Sequence, residues 1–200
     1  MSRLRRPFLF DRFIFVTVKL LACRTRLEEG DFERLANSFT RMRKKHGFLL
    51  TAWVFRSDHW HAIIHPPYPL TISTALKSVK TSSMIGINVR RREAGELWQE
   101  RFFDRALRTV REYHEKVEYI HLNPVRRGLV QNPQDWKWSS LRKSRGLAGR
   151  IKNGFADRAS IASHFLLMCR RAFKAEKPRT LRRRSALRLR SSHGDLNLIA

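Results

Sequence analysis

Two pairs of residues in this chain have the types and spacing to do chemistry: His59 with His61, and Tyr119 with Asn123. Neutral imidazoles are common metal ligands, and a phenol becomes a nucleophile once its proton is lost. The stretch Asp58, His59, Trp60, His61, Ala62, Ile63, Ile64 reads as a strand. Side chains alternate across a strand, so His59 and His61 project from one face while Trp60, Ala62 and Ile64 take the other. That is half a metal site, although a histidine-rich chain also produces such a pair by accident. His65 has the same parity but lies two pleats further on, as an auxiliary ligand, a phosphate contact or a surface residue.

The tyrosine sits on a helix expected from Thr109 to about His121. At ~100° per residue, Val110, Tyr113, Val117 and Ile120 share one side, which makes Tyr113 a core residue. Tyr119 falls on the opposite, solvent-facing side with Glu112 and Glu115, and Asn123 follows one turn later. Pro124 biases Asn123 out of helix geometry, placing its amide at a helix end where the oxygen can turn toward a neighbouring ion. The plain alternative is an ordinary exposed tyrosine and a helix stop before Asn-Pro. His121, two positions after Tyr119, points elsewhere.

The elements that must position these groups follow from periodicity. Phe13 to Leu20 alternates like a strand. Asp31 is the expected cap of a helix carrying Phe32, Leu35, Phe39 and Met42 on one stripe, with Gly47 at its stop. Phe48 to Phe55 is a second strand, joined to the histidine strand by the short turn Arg56, Ser57, Asp58, which argues for an antiparallel hairpin. Beyond Pro66, Pro67 and Pro69, a helix fits Thr71 to about Arg92. Phe102 to Leu107 is the fourth strand, and Thr109 with Glu112 forms a capping box for the tyrosine helix. The order β, α, β, β, α, β, α predicts an α+β fold of ferredoxin-like split βαβ type, an antiparallel sheet with helices packed on one face, plus the third helix and a basic C-terminal extension. Residues 1–145 form the domain and 146–200 the extension.

Charge bounds the partner. Among 200 residues, 42 Lys and Arg stand against 17 Asp and Glu, a net charge of +25 that favours a polyanion, nucleic acid first. No run approaches the ~20 apolar residues of a membrane span, and the start lacks a secretory h-region, so a cytoplasmic, nucleoid-associated protein is expected. Cys23 and Cys169 fit no thiolate zinc pattern and are expected to be buried free thiols. Lys77, Lys80, Arg90, Arg91 and Arg92 on the second helix are the phosphate-contact candidates, a solvated basic stripe being the alternative. Trp60, Trp98 and Trp136 are either core or stacking platforms for bases. Between Arg170 and Arg190, ten Lys and Arg face the single acid Glu176, a basic tail or a segment ordered on DNA.

The blocks SDHWHAII (Ser57 to Ile64), LWQERFFDRALR (Leu97 to Arg108) and EYIHLNPVRRGLV (Glu118 to Val130) resemble, in this order, the single-tyrosine HUH transposases, most closely the REP-associated tyrosine transposases. The resemblance runs from about Phe13 to Trp138. It implies a DNA strand transferase and nuclease in which His59, His61 and Asn123 hold a divalent ion, Mg²⁺ or Mn²⁺. Tyr119 would attack single-stranded or hairpin DNA to give a 5′-phosphotyrosine. The family often has Met-Pro where this chain has Arg56 and Ser57, a change in the hairpin turn that spares the ligands. Monomer and homodimer are both compatible with it. Two readings from other classes compete: a domesticated, non-catalytic DNA- or RNA-binding protein, and a zinc-stabilised binding module, which the lack of a thiolate set disfavours.

Overall fold

The computed structural model describes residues 12–141. Four strands, β1 (Ile14–Lys19), β2 (Leu49–Phe55), β3 (His59–His65) and β4 (Phe103–Ala106), form one antiparallel sheet in the order β2-β3-β1-β4. Helices α1 (Glu29–His46), α2 (Ile72–Arg91) and α3 (Val110–Arg126) complete the expected order. This is the split βαβ arrangement: α1 carries β2 one place beyond β1, the hairpin lays β3 into the gap, and α2 brings β4 to the other side of β1, which leaves β1 and β3 central.

The two sheet faces bury different things. Ile14, Val16, Val18, Trp60, Ala62 and Ile64 meet Phe32, Leu35 and Phe39 of α1 and Ala75, Leu76, Val79 and Ile87 of α2 in the larger core. Phe13, Phe15, Ile63, Ala52 and Val54 pack on the other face with Tyr113 and Ile120 of α3. So α1 and α2 share one face, and α3 alone covers part of the opposite one. The register of β2 slips between Leu50 and Ala52. That bulge reverses the parity of the strand, so Leu50, Trp53 and Phe55 all face the helical layer while Ala52 and Val54 face α3. Arg56 continues the second series.

Helix α1 is capped by Glu28, three residues before Asp31, the expected cap, which stands instead at N3 in a reciprocal capping box. Asp31 is completely buried because it has a second task. Its carboxylate accepts from Arg90 Nη1 at 3.0 Å and Arg91 Nε at 3.1 Å, tying the start of α1 to the end of α2. Gly47 ends α1 at φ 72°, the left-handed conformation that costs glycine least. After α3 the chain returns along the outer edge of β2, where Phe55 N donates to Trp138 O at 2.9 Å and Trp53 N to Ser140 Oγ at 3.0 Å. This segment shields an otherwise open sheet edge.

Trp60 and Trp98 lie in the core, and Trp136 is half-buried with its Nε1 donating to Phe55 O at 3.0 Å. Cys23 is exposed rather than buried, because it sits in the turn after β1 where no helix covers it. Cys169, residues 146–200 and the basic run lie outside the described residues. Among the described residues no helix is long and apolar enough to cross a membrane.

Candidate active site

Strand pairing sets the histidines. His59 and His61 project from β3 toward the α3 face, and the antiparallel register puts Thr17 of β1 directly opposite His61. Thr17 Oγ1 lies 2.8 Å from His61 Nδ1. Asp58 Oδ1 lies 2.8 Å from His59 Nδ1. Burial works against the Asp58 charge, but His59 and Arg56 beside it hold its carboxyl below the ordinary value. The carboxylate is therefore an acceptor and His59 Nδ1 its donor. With both Nδ1 atoms occupied, the two Nε2 atoms face each other at 3.1 Å.

The surroundings keep both rings neutral. Burial pushes the His61 imidazole down to about 3, helped by the neighbouring His59 and Arg56. His59 is lowered by burial too, an effect Asp58 opposes. Asp58 fixes the His59 proton on Nδ1 and leaves its Nε2 lone pair outward, the form that binds metal, while Thr17 orients the His61 ring with its Nε2 toward the same point. Two nitrogen ligands about 2.1 Å from one ion, at ~90° to ~110° to each other, stand roughly 3.0 to 3.4 Å apart. The Nε2 pair fits that spacing without rearrangement. Among the described residues no set of three His, Cys, Asp or Glu is placed to hold a metal. Any third protein ligand must come from elsewhere.

Helix α3 supplies the tyrosine, in a phase the apolar pattern misjudged. Tyr113 is buried as expected, but Val110 is exposed, while Asn123 and Pro124 are buried. The buried arc is rotated by roughly 40° from the expected stripe, toward Asn123. Tyr119 is consequently half-buried rather than solvent-facing, its ring centroid 5.3 Å from that of His61 and 5.9 Å from that of Phe15. The helix also runs through Asn123 and Pro124 to Arg126 instead of stopping at the proline. Proline deletes only one backbone donor, and burying the Asn-Pro pair against the body of the fold offsets that loss.

Asn123 is 4% exposed, and its Oδ1 accepts from Arg56 Nη1 at 3.3 Å. Arg56 Nη2 also approaches Asp58 Oδ1 at 4.0 Å. A continuous polar chain thus runs from Asn123 through Arg56 and Asp58 to His59, His61 and Thr17. Thr17, Asp58 and Arg56 were not singled out from the sequence. Asp58 had a signal, adjacency to a histidine, whereas Thr17 needed the strand register and Arg56 the bulge. His65 is buried, its ring 5.1 Å from Phe13, and His121 Nε2 lies 2.9 Å from Ser140 Oγ. Burial thus takes His65 out of the surface alternative.

The five basic candidates of α2 are on the opposite sheet face. Lys80 Nζ donates to Gln99 O and Glu100 O at 2.7 and 3.0 Å, and Arg90 and Arg91 clamp Asp31. The expectation of a free basic stripe fails for these three, because their charges satisfy acceptors inside the fold. Lys77 and Arg92 are exposed.

The family model described as "Transposase IS200 like" matches residues 15–123. A REP-associated tyrosine transposase of Escherichia coli is 28% identical over 150 residues, covering 74% of this chain and 88% of that protein. A Haemophilus influenzae protein named for the same group is 25% identical over 155 residues, covering 72% and 87%. Among solved structures, a REP-associated tyrosine transposase bound to a REP hairpin has the same fold, with a TM-score of 0.65 at 24% identity over 80% of this chain and 96% of that one. The match spans every strand and helix from β1 into α3, with both histidines, Tyr119 and Asn123 inside it, and this chain therefore belongs to the IS200-like transposase family, the single-tyrosine transposases.

Proposed function

We propose that this protein nicks and rejoins single-stranded or hairpin DNA through a covalent bond to Tyr119, with Mg²⁺ or Mn²⁺ held by His59, His61 and the amide oxygen of Asn123. The observation that carries the reading is the convergence of the two neutral Nε2 atoms at 3.1 Å beside the Tyr119 ring. The related transposase bound to a REP hairpin supports DNA of that kind as substrate. When bound, the ion supplies positive charge for a non-bridging oxygen of the scissile phosphate.

The chain's residues do the rest. Thr17 and Asp58 hold the imidazoles in the metal-binding tautomer, and Arg56 holds Asn123 at the same end of α3. Tyr119, fixed between His61 and Phe15, is oriented for in-line attack. As its oxygen bonds to phosphorus it gives up the phenol proton, the bond to the 3′ oxygen breaks, and that oxygen takes up a proton. The product is a 5′-phosphotyrosine and a free 3′-hydroxyl. Since the phosphoester persists in the link, another 3′-hydroxyl can reverse the step, joining DNA without ATP. The domain occupies residues 1–145, and the basic residues from 146 onward add phosphate contacts.

A labelled DNA hairpin incubated with the protein and Mn²⁺, then resolved on a denaturing protein gel, tests the reading. Label migrating with the polypeptide is the expected result. Its absence across hairpin and single-stranded substrates, with DNA binding intact, would instead favour a non-catalytic binder.

A further inference from the structure

Cations in the described fold divide into those matched by acids and those left unmatched. On α3, Arg111 pairs with Glu115 at 2.8 Å, and Arg105 of β4 reaches Glu112 at 3.0 Å. Across the molecule, Arg24 pairs with Glu93 at 3.2 Å, and Arg90 and Arg91 hold Asp31. Lys116, Arg126 and Arg127 form no salt bridge among the described residues. Glu112, the one acid of α3 three or four positions from Lys116, is already taken by Arg105.

Two of these three cations lie against the tyrosine. Lys116 Nζ lies 5.3 Å from the centre of the Tyr119 ring and 5.1 Å from that of Phe15. Arg126 Cζ lies 5.9 Å from the Tyr119 ring. Their spacing explains this: Lys116, Tyr119, Asn123 and Arg126 recur at intervals of three, four and three, one stripe of α3 about 15 Å long with a cation at each end. Arg127 follows at the helix end, exposed like Arg126. Uncompensated like charges gathered at one site repel one another, a cost that a bound polyanion removes.

We propose that Lys116, Arg126 and Arg127 cradle the phosphates flanking the bond that Tyr119 attacks, so that the DNA strand runs along the α3 face of the sheet and not along α2. This rests on the DNA-cleaving function proposed above and specifies its substrate path. Each cation placed on a phosphate releases counterions from a single strand, adding about 0.7 to the slope of log affinity against log salt.

The test is the salt dependence of oligothymidylate binding by the full chain in EDTA, where no metal acts and nothing is cleaved. Lys116→Gln/Arg126→Gln/Arg127→Gln should lower the magnitude of the slope by about 2, and the exposed pair Arg126→Gln/Arg127→Gln alone by about 1.4. The Lys116→Arg/Arg126→Lys/Arg127→Lys protein should keep the wild-type slope. A charge-matched control on the exposed surface of α1 and α2, Lys44→Gln/Lys45→Gln/Lys77→Gln, should change it by less than about 0.5. An unchanged slope in both glutamine variants, each shown folded by circular dichroism, overturns the proposal, and so does an equal fall in the control. Because cleavage is not read, the two proposals fail separately. A missing adduct with the expected slopes removes the nuclease and leaves the cradle, whereas an adduct with unchanged slopes does the reverse.

Discussion

Thr17→Val is the sharpest probe of how the fold prepares the histidines. Valine matches threonine in shape and β-branching, so β1 keeps its strand and His61 keeps its packing against Phe15. Only the hydroxyl 2.8 Å from His61 Nδ1 is lost. His61 is 5% exposed, so its Nδ1 would then be buried without that partner, which costs about 1 to 3 kcal/mol. The same loss frees the tautomer. With nothing to hold a proton on Nδ1, the ring can carry it on Nε2, where it blocks metal binding. Removing such an outer partner typically lowers metal affinity by about 10- to 100-fold. Mn²⁺ titration followed by electron paramagnetic resonance, alongside thermal unfolding in EDTA, reads the two effects separately. Wild-type Mn²⁺ affinity in a folded Thr17→Val protein would refute the tautomer argument, whatever the melting temperature does.

Other consequences can be checked alongside. Asp31 is fully buried between Arg90 and Arg91, so Asp31→Asn should cost about 3 to 5 kcal/mol in denaturant unfolding by stranding a buried cation. Metal-free stability should depend on His61, whose folded value lies near 3 against an ordinary 6.5. The unfolded chain then binds the extra proton between those values, so stability is fully present above ~6.5 and falls with acid by up to ~1.4 kcal/mol per pH unit. His61→Ala should flatten that part of a urea-unfolding series measured against pH. Deleting residues 146–200 should weaken DNA binding across sequences and lower the salt slope, since the run from Arg170 to Arg190 carries ten cations against one acid. An identical slope would leave the extension without this role.

The strands and helices were readable because this chain states its periods clearly. Alternation in Ile14 to Lys19 and in His59 to Ile64, the cap at Thr109 and the stop at Gly47 each reflect one local rule, and each reappears in the fold. What failed was phase and partnership. The apolar stripe of α3 suggested that Tyr119 points to water, yet the sheet-facing arc includes Asn123, a polar residue whose burial depends on Arg56. Arg56 reaches it only because a bulge two turns of the pleat earlier reverses β2, and no hydropathy pattern announces that extra residue. The basic residues of α2 were misjudged for a related reason. Arg90 and Arg91 look free until Asp31, some sixty positions away, is folded against them. The row of Lys116, Tyr119, Asn123 and Arg126 was present in the sequence as a helical spacing, but its meaning depends on which face meets the histidines.

The most direct measurement locates the covalent bond. Wild-type protein would be allowed to react with a labelled hairpin in Mn²⁺, digested, and its adduct-bearing peptide sequenced by mass spectrometry, with Tyr119→Phe and Tyr113→Phe in parallel. Tyr113 is buried, and burial raises its phenol above the ordinary range, so it can neither reach a phosphate nor readily ionise. The account predicts a phosphonucleotide on Tyr119, no adduct from a folded, DNA-binding Tyr119→Phe protein, and near-normal adduct from Tyr113→Phe. A phosphonucleotide on Tyr113, or an undiminished adduct in Tyr119→Phe, would contradict it.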